Sequence, residues 1–220
     1  MDGSAEPLAS HRVAEGEPRL RGVGFRGDLG RELDDVLDEH STAAARTTAS
    51  EDPIERRARQ EKAAALAELF ASRASVLIGP AGTGKTTMLR VLCEAPEVEN
   101  GGVLLLAPTG KARVRLETKA KLVGAQTIAQ FLVSRDRYYG ETGVYRLSSQ
   151  PKVNVARTVI VDEASMLTEA ELAALLDALQ GVERLVLVGD PRQLPPIGAG
   201  RPFLDIVRQL APDELEGRFP

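Results

Sequence analysis

The stretch Gly79-Pro80-Ala81-Gly82-Thr83-Gly84-Lys85-Thr86-Thr87 fits the pattern G-x-x-x-x-G-K-[ST]. These residue types suit one task, which is holding phosphate. Glycines let backbone N–H groups come close to phosphate oxygens and form an anion-binding concavity. A helix N-terminus just beyond them adds unpaired donors and partial positive charge. Lys85 then reaches the β- and γ-phosphates of a nucleotide. The Thr86 hydroxyl suits Mg²⁺, a hard ion that takes oxygen ligands. A second group, Asp162-Glu163, follows the apolar run Val159-Ile160-Val161. Asp162 is expected to hold Mg²⁺ through its water shell, and Glu163 to polarise the water that attacks the γ-phosphate. In Asp190-Pro191-Arg192-Gln193, Gln193 is a candidate for sensing the γ-phosphate and orienting water. The plainer readings are a glycine-rich turn, a strand closed by two solvated acids, and a glutamine capping a turn.

Such groups act only if elements hold them in place. Residues 74–78 form a short apolar run that reads as a buried strand ahead of the loop. A helix over 87–95 follows, with Met88, Leu89, Val91 and Leu92 turned inward and Cys93 on the same apolar side. The continuous apolar run at 102–107 predicts a strand covered on both faces. It leads into Pro108-Thr109-Gly110-Lys111, where another helix is expected to begin. Residues 125–132 fit a short helix. The polar stretch 135–155 carries all three tyrosines and reads as a hairpin or a long insertion. Residues 157–162 and 183–189 are further strands. Between them Thr168 and Glu171 form a capping box for a helix whose apolar face is Leu172, Leu175, Leu176 and Leu179. Asp52-Pro53 starts a helix running to about residue 72, with Ala64, Leu66, Ala67 and Phe70 as its apolar side. Pro195-Pro196 and Gly198-Ala199-Gly200 make a stiff loop before a last helix over 202–210. Strands alternating with helices predict an α/β fold, an open parallel sheet flanked by helices. Ligands in such sheets bind beyond the carboxyl ends of the strands, where every motif named here falls.

At 220 residues the chain can form one sizeable core and a flexible arm. Hydrophobic content of 43% and charged content of 27% are ordinary for a soluble globular protein. The net charge of -4 gives no global basic field, so a nucleic-acid site must be a local patch. The single cysteine, Cys93, excludes an internal disulfide and a cysteine zinc site. The two histidines, His11 and His40, fall in the arm and argue against a histidine metal centre. No apolar run is long enough to span a bilayer, and Met1-Asp2-Gly3-Ser4 does not begin a secretory signal. A cytoplasmic location is expected. Residues 1–50 are polar and read as a mostly disordered arm. Within it Leu29, Leu33, Val36 and Leu37 recur at helical spacing, predicting a short helix over 28–40. Residues 51–220 are expected to form the nucleotide-binding lobe.

Four motifs now stand in order: Gly79 to Thr87; Ala107-Pro108-Thr109-Gly110-Lys111-Ala112; Val161-Asp162-Glu163-Ala164-Ser165-Met166; and the run from Gly189-Asp190-Pro191-Arg192-Gln193 through Leu194-Pro195-Pro196-Ile197-Gly198-Ala199-Gly200. Together they resemble motifs I, Ia, II and III of the RecD-type superfamily 1 DNA helicases, over residues 53–203. The resemblance implies a RecA-like P-loop NTPase lobe that uses ATP and Mg²⁺ and acts on single-stranded DNA. It implies that Gln60 contacts adenine and that Gly79, Pro80, Ala81, Gly82, Thr83, Gly84, Lys85, Thr86 and Thr87 hold the nucleotide. Lys85, Glu163 and Gln193 would be catalytic, with Thr86 and Asp162 at the metal. Thr109, Gly110 and Lys111 would touch the DNA backbone, and so would Thr127, which resembles the start of motif Ib. The family often has a histidine just after that motif; this chain has Ala129. Lys111, Arg113, Arg115, Lys119 and Lys121 offer a local basic surface for phosphates or a solvated helix face.

Such helicases work with two RecA-like lobes, and the second supplies arginines to the transferring phosphate. An arginine of this kind is worth about 10³–10⁵ in rate in comparable NTPases. The sequence stops at Gly217-Arg218-Phe219-Pro220 with nothing resembling motifs IV to VI. The expectation is a first lobe from a longer protein, weakly active alone and unable to unwind DNA. A different class of reading is a nucleotide-dependent regulatory module, with residues 28–40 as its docking element. A small-molecule kinase would need a lid and an acceptor site, and neither is visible.

Overall fold

The computed structural model describes residues 53–80, 82–120, 123–193 and 195–210. The arm over 1–50, with its expected helix at 28–40, lies outside the described residues, as do Ala81 and Lys121. Helix α1 spans Pro53–Ala71 and strand β1 Ala74–Ile78. Helices α2 (Lys85–Glu94) and α3 (Pro96–Gly101) precede β2 (Val103–Ala107). Then come α4 (Gly110–Ala120), β3 (Gln126–Thr127) and α5 (Ile128–Val133). The hairpin β4 (Tyr138–Tyr139) and β5 (Val144–Tyr145) leads to β6 (Thr158–Val161). A 3₁₀ turn (Ala164–Met166), α6 (Glu169–Ala178), β7 (Arg184–Gly189) and α7 (Pro202–Leu210) complete the described chain.

The main sheet has the order β1-β7-β6-β2-β3, and every pairing in it is parallel. Both faces are covered, as the near-continuous apolar strands require. Alternate strand residues divide between two cores. Leu105, Ile160, Val186 and Val188 face Leu66, Leu69, Leu89 and Leu92 from α1 and α2. Leu104, Leu106, Val159, Val161 and Leu187 face Phe131, Leu175, Phe203 and Val207 from α5, α6 and α7. Met88, Leu89, Val91, Leu92 and Cys93 are all buried, and burial pushes the Cys93 thiol up to about 12.

Two helix faces differ from the sequence reading. On α1 the buried side is Leu66 and Leu69, while Ala64 and Ala67 are exposed. On α6 Leu172 and Leu175 are buried but Leu176 is 47% exposed. Helices rich in Ala and Leu carry a weak periodic signal, so the sheet rather than the pattern selects the buried side. Helix α5 also begins three residues later than expected. Thr127 accepts from the Gln130 N–H at 3.1 Å and Gln130 Oε1 accepts from the Thr127 N–H at 2.9 Å, a capping box that fixes the start.

The tyrosine stretch is a hairpin, with the Tyr138 and Tyr145 rings 4.5 Å apart. Its base is fixed by Arg137, whose side chain is buried. Arg137 Nε donates to Asp177 Oδ2 at 2.8 Å. Asp177 Oδ2 also accepts from the Ser148 N–H at 3.1 Å. These two donors, the Ser148 amide first, hold the Asp177 carboxyl below the usual carboxylate range. Its stabilising effect is therefore complete above the unfolded value of about 4 and is lost as pH falls through the lower folded value. Urea unfolding of the Asp177→Asn variant between pH 2 and pH 7 is expected to lack that acid-limb component. Parallel pH profiles for variant and parent would contradict it.

Candidate active site

The site is built at the carboxyl ends of β1, β6 and β7. The Gly79 N–H donates to the Gly189 carbonyl at 3.3 Å, which ties the loop after β1 to the end of β7. Gly82 and Gly84 adopt φ of 87° and 86°, the left-handed region that favours glycine. Gly84 is the N-cap of α2 and no side chain caps that end. The first amides of α2 therefore remain available to an anion. The Thr83 hydroxyl donates to the Pro80 carbonyl at 2.9 Å and closes the turn. Lys85 Nζ donates to the same carbonyl at 2.8 Å and to that of Gly79. Burial lowers the Lys85 ammonium pKa; the Asp190 and Asp162 carboxylates oppose this and Arg115 adds to it.

Asp162 directly follows β6, and its N–H donates to the Leu106 carbonyl at 2.9 Å. Its Oδ1 accepts from the Glu163 N–H at 2.9 Å. Burial raises the Asp162 carboxyl; the Glu163 amide, Arg115 and Lys85 pull it back. Glu163 sits at φ 53°, ψ 35°, a conformation that costs a non-glycine residue about 1–3 kcal/mol. The bend turns its carboxylate towards α4, where Arg115 Nη1 donates to Glu163 Oε1 at 3.0 Å. Asp190 Oδ1 accepts from the Arg192 N–H at 3.0 Å, and the Gln193 N–H donates to the Asp190 carbonyl at 3.0 Å. Gln193 is exposed on this turn. The following loop rests on the start of α6, where the Glu169 N–H donates to the Ala199 carbonyl at 3.2 Å. Gly189 has no room for a side chain: a Cβ there would lie 2.9 Å from Phe203 Cζ and 3.0 Å from the Ser165 nitrogen.

The fold thus gathers Lys85, Asp162, Glu163 and Asp190, while Thr86 and Thr87 lie in the first turn of α2 and Gln60 lies on α1. Thr109, Gly110 and Lys111 are exposed at the start of α4. Thr127 pairs with Ala107 at the end of β2, two residues before Thr109. The Thr127 hydroxyl oxygen is engaged as the α5 cap. Among the described residues of α4 the basic side chains do not form one uniform surface. Arg113 pairs with Glu117 at 3.0 Å and Arg115 with Glu163, while Lys111 is exposed. Two further groups at the site escaped the sequence reading. Asp190 gives the strongest of the attractive charges on Lys85, and its place at a strand end was the available signal. Lys62 brings Nζ to 3.5 Å from where a Cβ on Gly84 would stand, and nothing local in the sequence announces that approach.

A family model described as an AAA domain matches residues 57–216. The ATP-dependent RecD2 DNA helicase of Deinococcus radiodurans is 37% identical over 155 residues, which are 70% of this chain and 20% of that protein. The RecBCD enzyme subunit RecD of Mycolicibacterium smegmatis is 35% identical over 172 residues, 69% of this chain and 30% of that protein. An uncharacterised protein of Methanocaldococcus jannaschii, MJ1519, is 34% identical over 156 residues, 66% of this chain and 13% of its own length. The chain therefore spans less than a third of the length of these relatives. With the parallel sheet and the phosphate loop in place, the chain belongs to the AAA domain family, and its sequence is similar to part of RecD2 and RecD.

Proposed function

We propose that the chain is the ATP-binding and ATP-hydrolysing motor lobe of a cytoplasmic DNA helicase that moves on single-stranded DNA. One observation carries the reading: the phosphate loop, Asp162-Glu163 and Asp190 meet at three strand ends, and the candidate DNA residues occupy the neighbouring two. The relative named an ATP-dependent DNA helicase agrees with it. In this reading the loop from Gly79 to Thr87, through the backbone N–H groups of its residues other than Pro80, and the Lys85 ammonium bind the triphosphate, and Gln60 the adenine. Glu163 orients the attacking water, and Gln193 reports the γ-phosphate to the rest of the lobe. Thr109, Gly110, Lys111 and Thr127 hold the DNA backbone. The Thr86 hydroxyl and Asp162 carboxylate are hard oxygen donors, so this pair suits Mg²⁺ completed by phosphate and water oxygens. The ion would neutralise charge developing on the transferred phosphate. Residues 51–220 act as one lobe, and a second RecA-like lobe completes the catalytic cleft.

The test is nucleotide binding and ATP turnover by the chain, with and without single-stranded DNA, and with the second lobe of a relative added in trans. Nucleotide binding with slow turnover that rises when the second lobe is added supports the proposal. Turnover that ignores both DNA and the added lobe would favour a nucleotide-dependent switch instead.

A further inference from the structure

Arg115 and Glu163 are 48 residues apart in sequence, yet Arg115 Nη1 meets Glu163 Oε1 at 3.0 Å. Arg115 lies on the helix that opens with Thr109-Gly110-Lys111, four residues on from Lys111 and so on the same face. Gly110, Lys111, Val114, Arg115 and Thr118 line an open surface depression along that face, mostly through apolar atoms. The Arg115 side chain is half exposed while its Nη1 is bonded to Glu163. Guanidinium is suited to bidentate phosphate contacts, which are charge-assisted and geometrically specific. Glu163, for its part, is held in a left-handed conformation and spends a carboxylate oxygen on Arg115.

We propose that Arg115 is a positioning residue that couples DNA occupancy to Glu163: a DNA phosphate entering beside Lys111 competes for the guanidinium and frees the Glu163 carboxylate to orient water. The inference rests on the reading of the chain as a DNA-dependent motor lobe. The coupling is a competition between two anions for one cation, so it must be reciprocal. Weakening the Arg115–Glu163 bond then strengthens DNA binding, even with no nucleotide present.

The experiment is fluorescence anisotropy with a labelled oligo(dT), nucleotide-free and with a chelator, on the parent chain, Glu163→Gln, Arg115→Ala and the double variant. Glu163→Gln is expected to tighten DNA binding about two- to fivefold, the range in which a half-exposed ion pair acts. That gain is expected to vanish in the Arg115→Ala background. Because Glu163→Gln also removes a negative charge, an equal gain in both backgrounds would mean general electrostatics and overturn the proposal. No gain in the parent background would overturn it too. Absence of DNA binding by every variant would overturn the motor-lobe reading and this coupling with it. Arg115→Lys keeps the charge but loses the planar fork, and is expected to retain only part of the gain; it replaces Arg115→Ala if the latter lowers the melting temperature.

Discussion

Replacing Lys85 by alanine is expected to lower ATP turnover by about 10²–10³-fold, the loss that follows removal of one positioned electrostatic group. The reason lies in where the ammonium is held. It sits against the Gly79 and Pro80 carbonyls, with the Asp162 and Asp190 carboxylates close enough to stabilise its charge. Burial already disfavours that charge, so an arriving phosphate exchanges a partly desolvated cation's weak partners for a strong one. Alanine keeps the helix intact, since it is the best helix former. The packing of α2 rests on Met88, Leu89 and Leu92, which the change does not touch. The melting temperature should therefore stay close to that of the parent. Steady-state turnover and nucleotide titration on the same preparation check this. Turnover within a few fold of the parent would remove Lys85 from the mechanism.

The largest effect on stability is expected at Arg137, far from any motif in sequence. Its side chain is 1% exposed and makes five hydrogen bonds. One goes to the Asp177 carboxylate, and the others to the carbonyls of Arg135, Ser148, Gln150 and Asp177. These bonds join the base of the tyrosine hairpin to the end of α6. Arg137→Ala leaves the acceptors without their donor and opens a void, at a cost of about 3 kcal/mol. Arg137→Met refills much of the volume but restores no donor, so it is expected to recover little of the loss. Denaturant unfolding should show a lower midpoint with an unchanged slope. A loss below about 1 kcal/mol would mean that water replaces the guanidinium at this site.

Elements set by local rules were legible in the sequence. Helix α7 occupies residues 202–210 as expected, because Pro202 fixes its first turn. The Thr168 cap with Glu171 is present, with the two residues bonded in both directions. Two local signals were passed over: Thr127 followed by Gln130, and Pro96 ahead of Glu97 and Glu99, which starts the short α3. Both follow ordinary capping chemistry.

The sequence by itself determined the phosphate loop, because glycines before a Lys-Thr pair leave the backbone few other uses. It also determined the parallel character of the sheet, because strands apolar on both faces must be covered twice. Only the tertiary structure decided the order β1-β7-β6-β2-β3, which puts β7 between the strands carrying Lys85's loop and Asp162. It alone decided that Leu176 faces outward, that Arg137 is buried, and that Arg115 spends its charge on Glu163. A charged side chain has no periodicity to betray its partner. Such contacts join segments distant in sequence, and only the packing of the helices against both faces of the sheet brings them within hydrogen-bonding distance.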